Sequence, residues 1–184
     1  MEDLSLHILD IAENSIEAGA TKVEIFITES PEEDLLVLKV TDNGKGMDGE
    51  VLSRVADPFF TTREKKKSFG LGIPLLKQAA EGCGGGLSIS SEPGKGTELT
   101  ASFRLSHVDL KPMGDLGSTM VALIAGHPEM EYSFACRKKG FSYRLDTAEI
   151  KKLLGEVPVN IPPVLKLVRD EVNQAMWQKD LYGK

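Results

Sequence analysis

The chain has 184 residues, 41% of them hydrophobic and 27% charged, enough apolar material to bury a core in one domain, or in one domain with a small appendage. Its 22 basic and 28 acidic residues leave a net charge of -6, which gives no general attraction to nucleic acid or anionic lipid and sets both aside as expected partners. The opening MEDLSLHILD is acidic where a signal peptide is basic, no apolar run approaches the ~20 residues of a bilayer span, and Cys83 and Cys136 form no C-x-x-C pair, so the expectation is a cytoplasmic protein with no membrane segment, no zinc site and two reduced, structural thiols.

Leu4, Ile8, Leu9, Ile11, Ala12 and Ile16 fall on one half of a helical wheel, and Asp3, His7, Asp10, Glu13, Asn14 and Glu17 on the other. This predicts an amphipathic helix that Gly19 ends. Val23, Ile25 and Ile27 then alternate with Lys22, Glu24 and Phe26, and the run LLVLKV follows the turn SPEED, which predicts a hairpin. After the stretch TDNGKGMDG, Asp48 caps a short helix through Ala56, and GLGIPLLKQAAE predicts a helix over 70–81 with Pro74 tolerated in its first turn. GCGGG closes that helix, and strands over 86–91 and 97–105 flank the tight turn EPGKG.

The order helix, hairpin, helices, hairpin predicts an α+β fold, a two-layer α/β sandwich with helices on one face of a mixed, largely antiparallel sheet. Asp, Pro and Gly cluster over 107–117 and suggest a linker. Beyond it the pattern predicts a helix over 118–125, strands over 132–136 and 141–145 around RKKG, and a helix over 147–154 with Asp146 and Glu149 at capping-box spacing. A last helix begins near Pro162, capped by Asn160, and runs to Gln178. The division expected is a domain over 1–106 and a small α/β appendage over 107–184 that senses a signal or docks a partner.

Gly44, Gly46 and Gly49 satisfy G-x-G-x-x-G, but the segment that follows, DPFFTTREKKKS, is polar, basic and not strand-like. A dinucleotide-binding turn needs a parallel βαβ unit, so that reading fails, and no P-loop pattern is present. Asp42, at a strand's end, can accept from an exocyclic amine, while Gly44 and Gly46 admit a flat base close to the backbone; the combination suits adenine, although Asp42 and Asn43 taken alone read first as a turn. Asp10, Asn14 and Glu17 share one helical stripe at i, i+4 and i+7. A carboxylate one turn from an amide oxygen can orient a nucleophile beside magnesium, and the same stripe alone reads as the wet face of a helix.

DIAENSIEAGA, DNGKGM, DPFFTT, GLG at Gly70 to Gly72 and GKGT at Gly94 to Thr97 stand in this order between Leu4 and Leu105. Together they resemble the ordered boxes of the GHKL superfamily, which groups gyrase, heat-shock chaperones, histidine kinases and MutL. The resemblance implies the Bergerat ATP-binding sandwich, with ATP and magnesium as ligands. It implies that Asn14 holds the magnesium, that Asp10 stands where the family has a catalytic glutamate, and that Asp42 binds the adenine amine. Ala18, Gly44, Gly46 and Met47 would surround the base and Thr97 would support the same edge. Phe59 and Phe60 would anchor a lid over 61–69, whose Arg63, Lys65, Lys66 and Lys67 close on the triphosphate, and Gly70, Leu71 and Gly72 would offer backbone N–H groups to the phosphates.

Three departures stand out. Asp10 is one methylene shorter than glutamate, Glu17 occupies a place where sensor kinases often carry a basic residue, and Ser68 replaces a lid glycine. His7, His107 and His127 read as surface or capping residues, so a phosphoacceptor is expected on another protein. The expectation is an ATP-binding, histidine-kinase-like signalling protein that transfers a phosphoryl group to a protein partner. An ATPase acting as a conformational or homodimerisation switch, and a non-catalytic ATP sensor, are the alternatives.

Overall fold

The structure is a computed structural model that describes residues 3–57 and 71–177. Helix α1 (Leu4–Glu17) starts where the Asp3 side chain accepts from Leu6 N, satisfying one orphan donor of the first turn. Strands β1 (Lys22–Ser30) and β2 (Leu35–Asp42) form the expected hairpin, and α2 (Gly49–Arg54) follows, capped by Asp48. Then come α3 (Gly72–Gly82), β3 (Gly86–Glu92), β4 (Gly96–Arg104), α4 (Leu116–Gly126), β5 (Glu131–Lys138), β6 (Phe141–Asp146), α5 (Thr147–Leu154) and α6 (Pro162–Trp177).

All six strands lie in one sheet, in the order β3-β4-β2-β1-β5-β6. Every neighbouring pair is antiparallel except β1 and β5, which run parallel. A parallel pair needs a crossover, and α4 lies on the path between β4 and β5. The register stacks the apolar alternation in rows: Ile25 pairs with Val40 and Val40 with Leu99, while Ile27 pairs with Leu38 and Leu38 with Ala101. All six of these side chains are buried, and Ile8, Ala12, Leu76 and Ala80 of α1 and α3 are buried in the same core. Each such large side chain contributes about 1.5–3 kcal/mol by leaving water.

The C-terminal residues extend this sheet. Tyr132 and Phe134 of β5 sit beside Val23 and Ile25 of β1, and Leu116, Met120 and Leu123 of α4 and Val168 and Val172 of α6 belong to the same buried cluster. The segment expected as a linker is tied to the first helix: Leu4 N donates to the Pro112 carbonyl at 3.0 Å and Ser5 N to the Met113 carbonyl at 2.8 Å. Two more orphan donors of α1 thereby find partners.

Local boundaries differ from expectation for identifiable reasons. Helix α4 starts two residues early because the Asp115 carboxylate accepts from Ser118 N at 2.8 Å. Helix α6 is preceded by Ile161, whose carbonyl accepts from Val164 and Leu165 N, so Asn160 is not its cap; Pro162 takes the first helical position, where its missing N–H costs nothing. Asp146 does cap α5, through Ala148 N at 2.9 Å.

The reading of His7 is corrected. It was assigned to the wet half of α1, but it is 1% exposed and neither ring nitrogen has a hydrogen-bond partner. The cause is the chain segment that crosses the start of α1, together with α4 packed along it: Leu4, Ser5, His7 and Ile8 are all buried. Burial, aided by the nearby Lys111 charge, lowers the His7 pKa from 6.5 to about 4, so the ring is neutral at neutral pH. His107 and His127 hold turn and cap positions as expected, the first accepting from Asp109 N and the second ending α4. Cys83 and Cys136 are buried free thiols whose pKa values burial raises. Among the described residues no helix is long and apolar enough to cross a membrane.

Candidate functional site

Along β2 the residues Leu36, Leu38, Val40 and Asp42 point to one face, the face covered by helices. The alternation that buries three apolar side chains therefore delivers the Asp42 carboxylate beneath α1, at the point where the core stops. There a cleft of about 520 Å³ opens. Ile11, Asn14, Ser15 and Glu17 of α1 with Ala18, the residue that caps its C-terminus, form one wall, Val40, Asp42, Thr97 and Leu99 form the sheet side, and Lys45 to Asp48 with Val51, Val55 and Ile73 form the rest.

Asp42 is held from two sides. Ser15 Oγ donates to its Oδ2 at 2.8 Å and Gly44 N donates to its Oδ1 at 2.8 Å. Each carboxylate oxygen keeps a further lone-pair position, so the group can still accept from a ligand. Its cross-strand partner is Thr97. Asn43 fastens the strand end by accepting from Thr21 N and Lys22 N and donating to Thr21 Oγ1.

The loop that follows is clamped between the end of α1 and the β3–β4 turn. Lys45 N donates to the Ala18 carbonyl at 3.0 Å, and Gly94 N donates to the Lys45 carbonyl at 2.7 Å. Gly46 has φ +65° and a Cβ there would overlap the Glu92 carbonyl; Gly96 has φ +102° and a Cβ there would overlap the Asp42 carbonyl. Backbone against backbone is what these glycines permit. At Gly44 a Cβ would stand 3.0 Å from Asp42 Oδ1 and 3.1 Å from the Ala18 Cβ, so that position is tight as well. Gly46 lines the cleft, while Gly44 lies beneath the lining residues as a donor to Asp42.

A second cluster gathers where α3 begins. Any Cβ on Gly72 would collide with the Asp10 carboxylate, so that carboxylate rests against the first turn of α3. Leu71, the residue ahead of the helix, gives no side-chain cap, and a negative group at a helix start is favoured by the orphan N–H groups and the dipole. This cluster adjoins the cleft through Ile73. Asp10 does not line the cleft, whereas Asn14, one turn further along α1, does. Among the described residues no group of three or more His, Cys, Asp or Glu is placed to hold a metal.

The structure thus brings Asn14, Ala18, Asp42, Gly46, Met47 and Thr97 to one cleft, with Gly44 under it and Asp10, Leu71 and Gly72 at its edge. Phe59, Phe60, Lys67 and Gly70, and the whole lid proposed over 61–69, lie outside the described residues. Two residues were missed. Ser15 secures Asp42, and Ser91 accepts from Met47 N at 2.9 Å. The signal for Ser15 was present: it is a hydroxyl on the otherwise apolar stripe Ile8, Ile11, Ala12. Ser91 carried no local signal.

The family model described as histidine kinase-, DNA gyrase B-, and HSP90-like ATPase matches residues 2–107. Sensor kinase CckA of Brucella abortus is 37% identical over 79 residues, which is 43% of this chain and 8% of that protein. Sporulation kinase D of Bacillus subtilis is 33% identical over 99 residues, 54% of this chain and 19% of the kinase. The chain therefore spans less than a fifth of either relative. In fold, the crystal structure of an N terminal domain of a DNA repair protein superposes with a TM-score of 0.58 at 15% identity, covering 96% of this chain and 57% of that one. That superposition takes in the C-terminal strands and helices as well as the matched region.

Proposed function

The chain belongs to the histidine kinase-, DNA gyrase B- and HSP90-like ATPases, and on that footing we propose that it binds magnesium-ATP in the cleft beside Asp42 and transfers the terminal phosphoryl group to a partner protein. The observation that carries the proposal is the Asp42 carboxylate, held by Ser15 Oγ and Gly44 N at the end of an apolar strand and open to a cavity of about 520 Å³, within the size range of small-molecule sites. The adenine amine donates to Asp42, with Ile11, Val40, Leu99 and Met47 as apolar walls for the ring. The phosphates run toward the start of α3, where Leu71 and Gly72 supply N–H groups.

Asn14 offers an amide oxygen at the cleft, which fits magnesium, a metal that takes one or two protein oxygens and otherwise phosphates and water, and Asp10 stands one helical turn away. Bound there, magnesium supplies charge neutralisation on the phosphates. In the transfer step a nucleophile on the partner bonds to the γ-phosphorus as the bond to the bridging oxygen of ADP breaks, and the chain contributes by holding both in line. Asp10 takes the proton released by the nucleophile. Docking of the partner falls to the C-terminal residues 107–184, and the named kinases among the relatives support a kinase over other ATP-dependent activities.

A second reading, an ATP-driven conformational or dimerisation switch, draws on Asp10: it is shorter than glutamate and its carboxylate is packed against Gly72. Incubation with γ-labelled ATP separates the two. Label appearing on an added protein partner supports transfer, while phosphate release without an acceptor, lost in Asp10→Asn, supports the switch.

A further inference from the structure

Ser91, Thr97 and Asp42 form one row across three neighbouring strands: Ser91 is the cross-strand partner of Thr97, and Thr97 of Asp42. Asp42 and Thr97 line the cleft, with Ser91 one strand behind them. Its hydroxyl is the meeting point of three contacts. Met47 N donates to it at 2.9 Å, it donates to the Gly96 carbonyl at 2.9 Å, and Thr97 Oγ1 lies 3.0 Å away.

A hydroxyl has one proton and two lone pairs. The Ser91 proton is directed to Gly96, and one lone pair takes the Met47 N–H. The remaining lone pair takes the Thr97 proton, which leaves Thr97 facing the cleft as an acceptor beside the Asp42 carboxylate. Two adjacent acceptors suit an amine carrying two N–H groups. A purine with no 6-amino group gives neither acceptor a donor from the ligand side, and a 6-oxo purine sets a lone pair against them.

We infer that Ser91 is a positioning residue for base selectivity: it sets the direction of the Thr97 hydroxyl and pins the Met47 backbone, so that the cleft discriminates in favour of a 6-amino purine. This rests on the proposal that the base of ATP lies against Asp42. Ser91 acts through Thr97 and does not itself reach the base.

The test is calorimetric titration of the full chain, in magnesium, with ATP and with purine riboside triphosphate, which lacks the 6-amino group. Wild type, Ser91→Ala, Thr97→Val, the double variant and Ser91→Thr are compared. Ser91→Ala is expected to shrink the ratio of the two affinities at least threefold, to shrink it no further in the Thr97→Val background, and Ser91→Thr is expected to keep it. Equal weakening of both nucleotides by Ser91→Ala, or the same effect with and without Thr97, overturns the inference while leaving adenine binding intact. A wild-type chain that binds neither nucleotide overturns the inference together with the reading beneath it.

Discussion

Replacing His7 by leucine tests whether a buried ring with no partners weakens the fold as pH falls. The native ring has a pKa near 4 against 6.5 for a free histidine, because burial and, to a smaller degree, Lys111 disfavour its charge while Asp3 offsets part of that. Above pH 6.5 both the folded and the unfolded chain hold a neutral ring and the effect is absent. Between pH 6.5 and 4 the unfolded chain takes up a proton that the folded chain refuses, so stability drops steadily, by about 3 kcal/mol once pH 4 is reached. His7→Leu removes this proton uptake and also two buried nitrogens that lack partners, which is worth about 1–3 kcal/mol at neutral pH if the site accepts the new shape. Urea unfolding followed by circular dichroism at several pH values from 7.5 to 4.5 gives the comparison. The difference between variant and wild type should widen as pH falls below 6.5. Parallel curves across that range would refute the reasoning, and the wild-type slope should persist in Lys111→Gln because burial is the larger cause.

Other outcomes follow from the glycine and hydroxyl contacts. Gly96→Ala forces a Cβ into the Asp42 carbonyl at positive φ, whereas Gly94, also at positive φ, faces open space; Gly94→Ala should cost about 1–2 kcal/mol of unfolding free energy, Gly96→Ala clearly more, and equal costs would show that the backbone contact is unimportant. Gly72→Ala should lower the melting temperature through collision with Asp10, and Asp10→Ala in the same chain should recover most of the loss, a coupling that a double-mutant cycle measures directly. Ser15→Ala removes one of the two donors that fix Asp42 and should weaken ATP by about 1 kcal/mol, roughly fivefold; an unchanged titration argues against that role.

Much of the fold was legible because it is written in short-range pattern. The alternation of β1 and β2, the capping aspartates 48 and 146, and the apolar stripe of α1 predict their elements within a few residues. The parallel pairing of β5 with β1 was not legible, since nothing local in EYSFACRK names a partner strand more than a hundred residues upstream. His7 was misplaced for the same reason: an isolated amphipathic helix has a wet side, and the crossing of residues 110–114 together with the packing of α4 removes it at His7. In the site, Asp42 and Asn14 stood out as chemically capable residues, Thr97 came only from the family resemblance, and their strand and helix positions bring the three together. Gly44 and Gly46 were read as space for a base, whereas a Cβ on Gly46 would meet the Glu92 carbonyl, and a Cβ on Gly96 would meet the Asp42 carbonyl in the same way, a demand of loop packing that spacing alone does not reveal.

The most direct measurement is calorimetric titration of ATP with magnesium into the wild-type chain and into Asp42→Asn. Loss of an ionised acceptor from the floor of the cleft should weaken binding by about 1.5–3 kcal/mol, a factor of about ten to a hundred, with the fold unchanged by circular dichroism. Equal affinity in the two proteins, or no heat of binding in the wild type, contradicts the assignment of this cleft to the adenine of ATP.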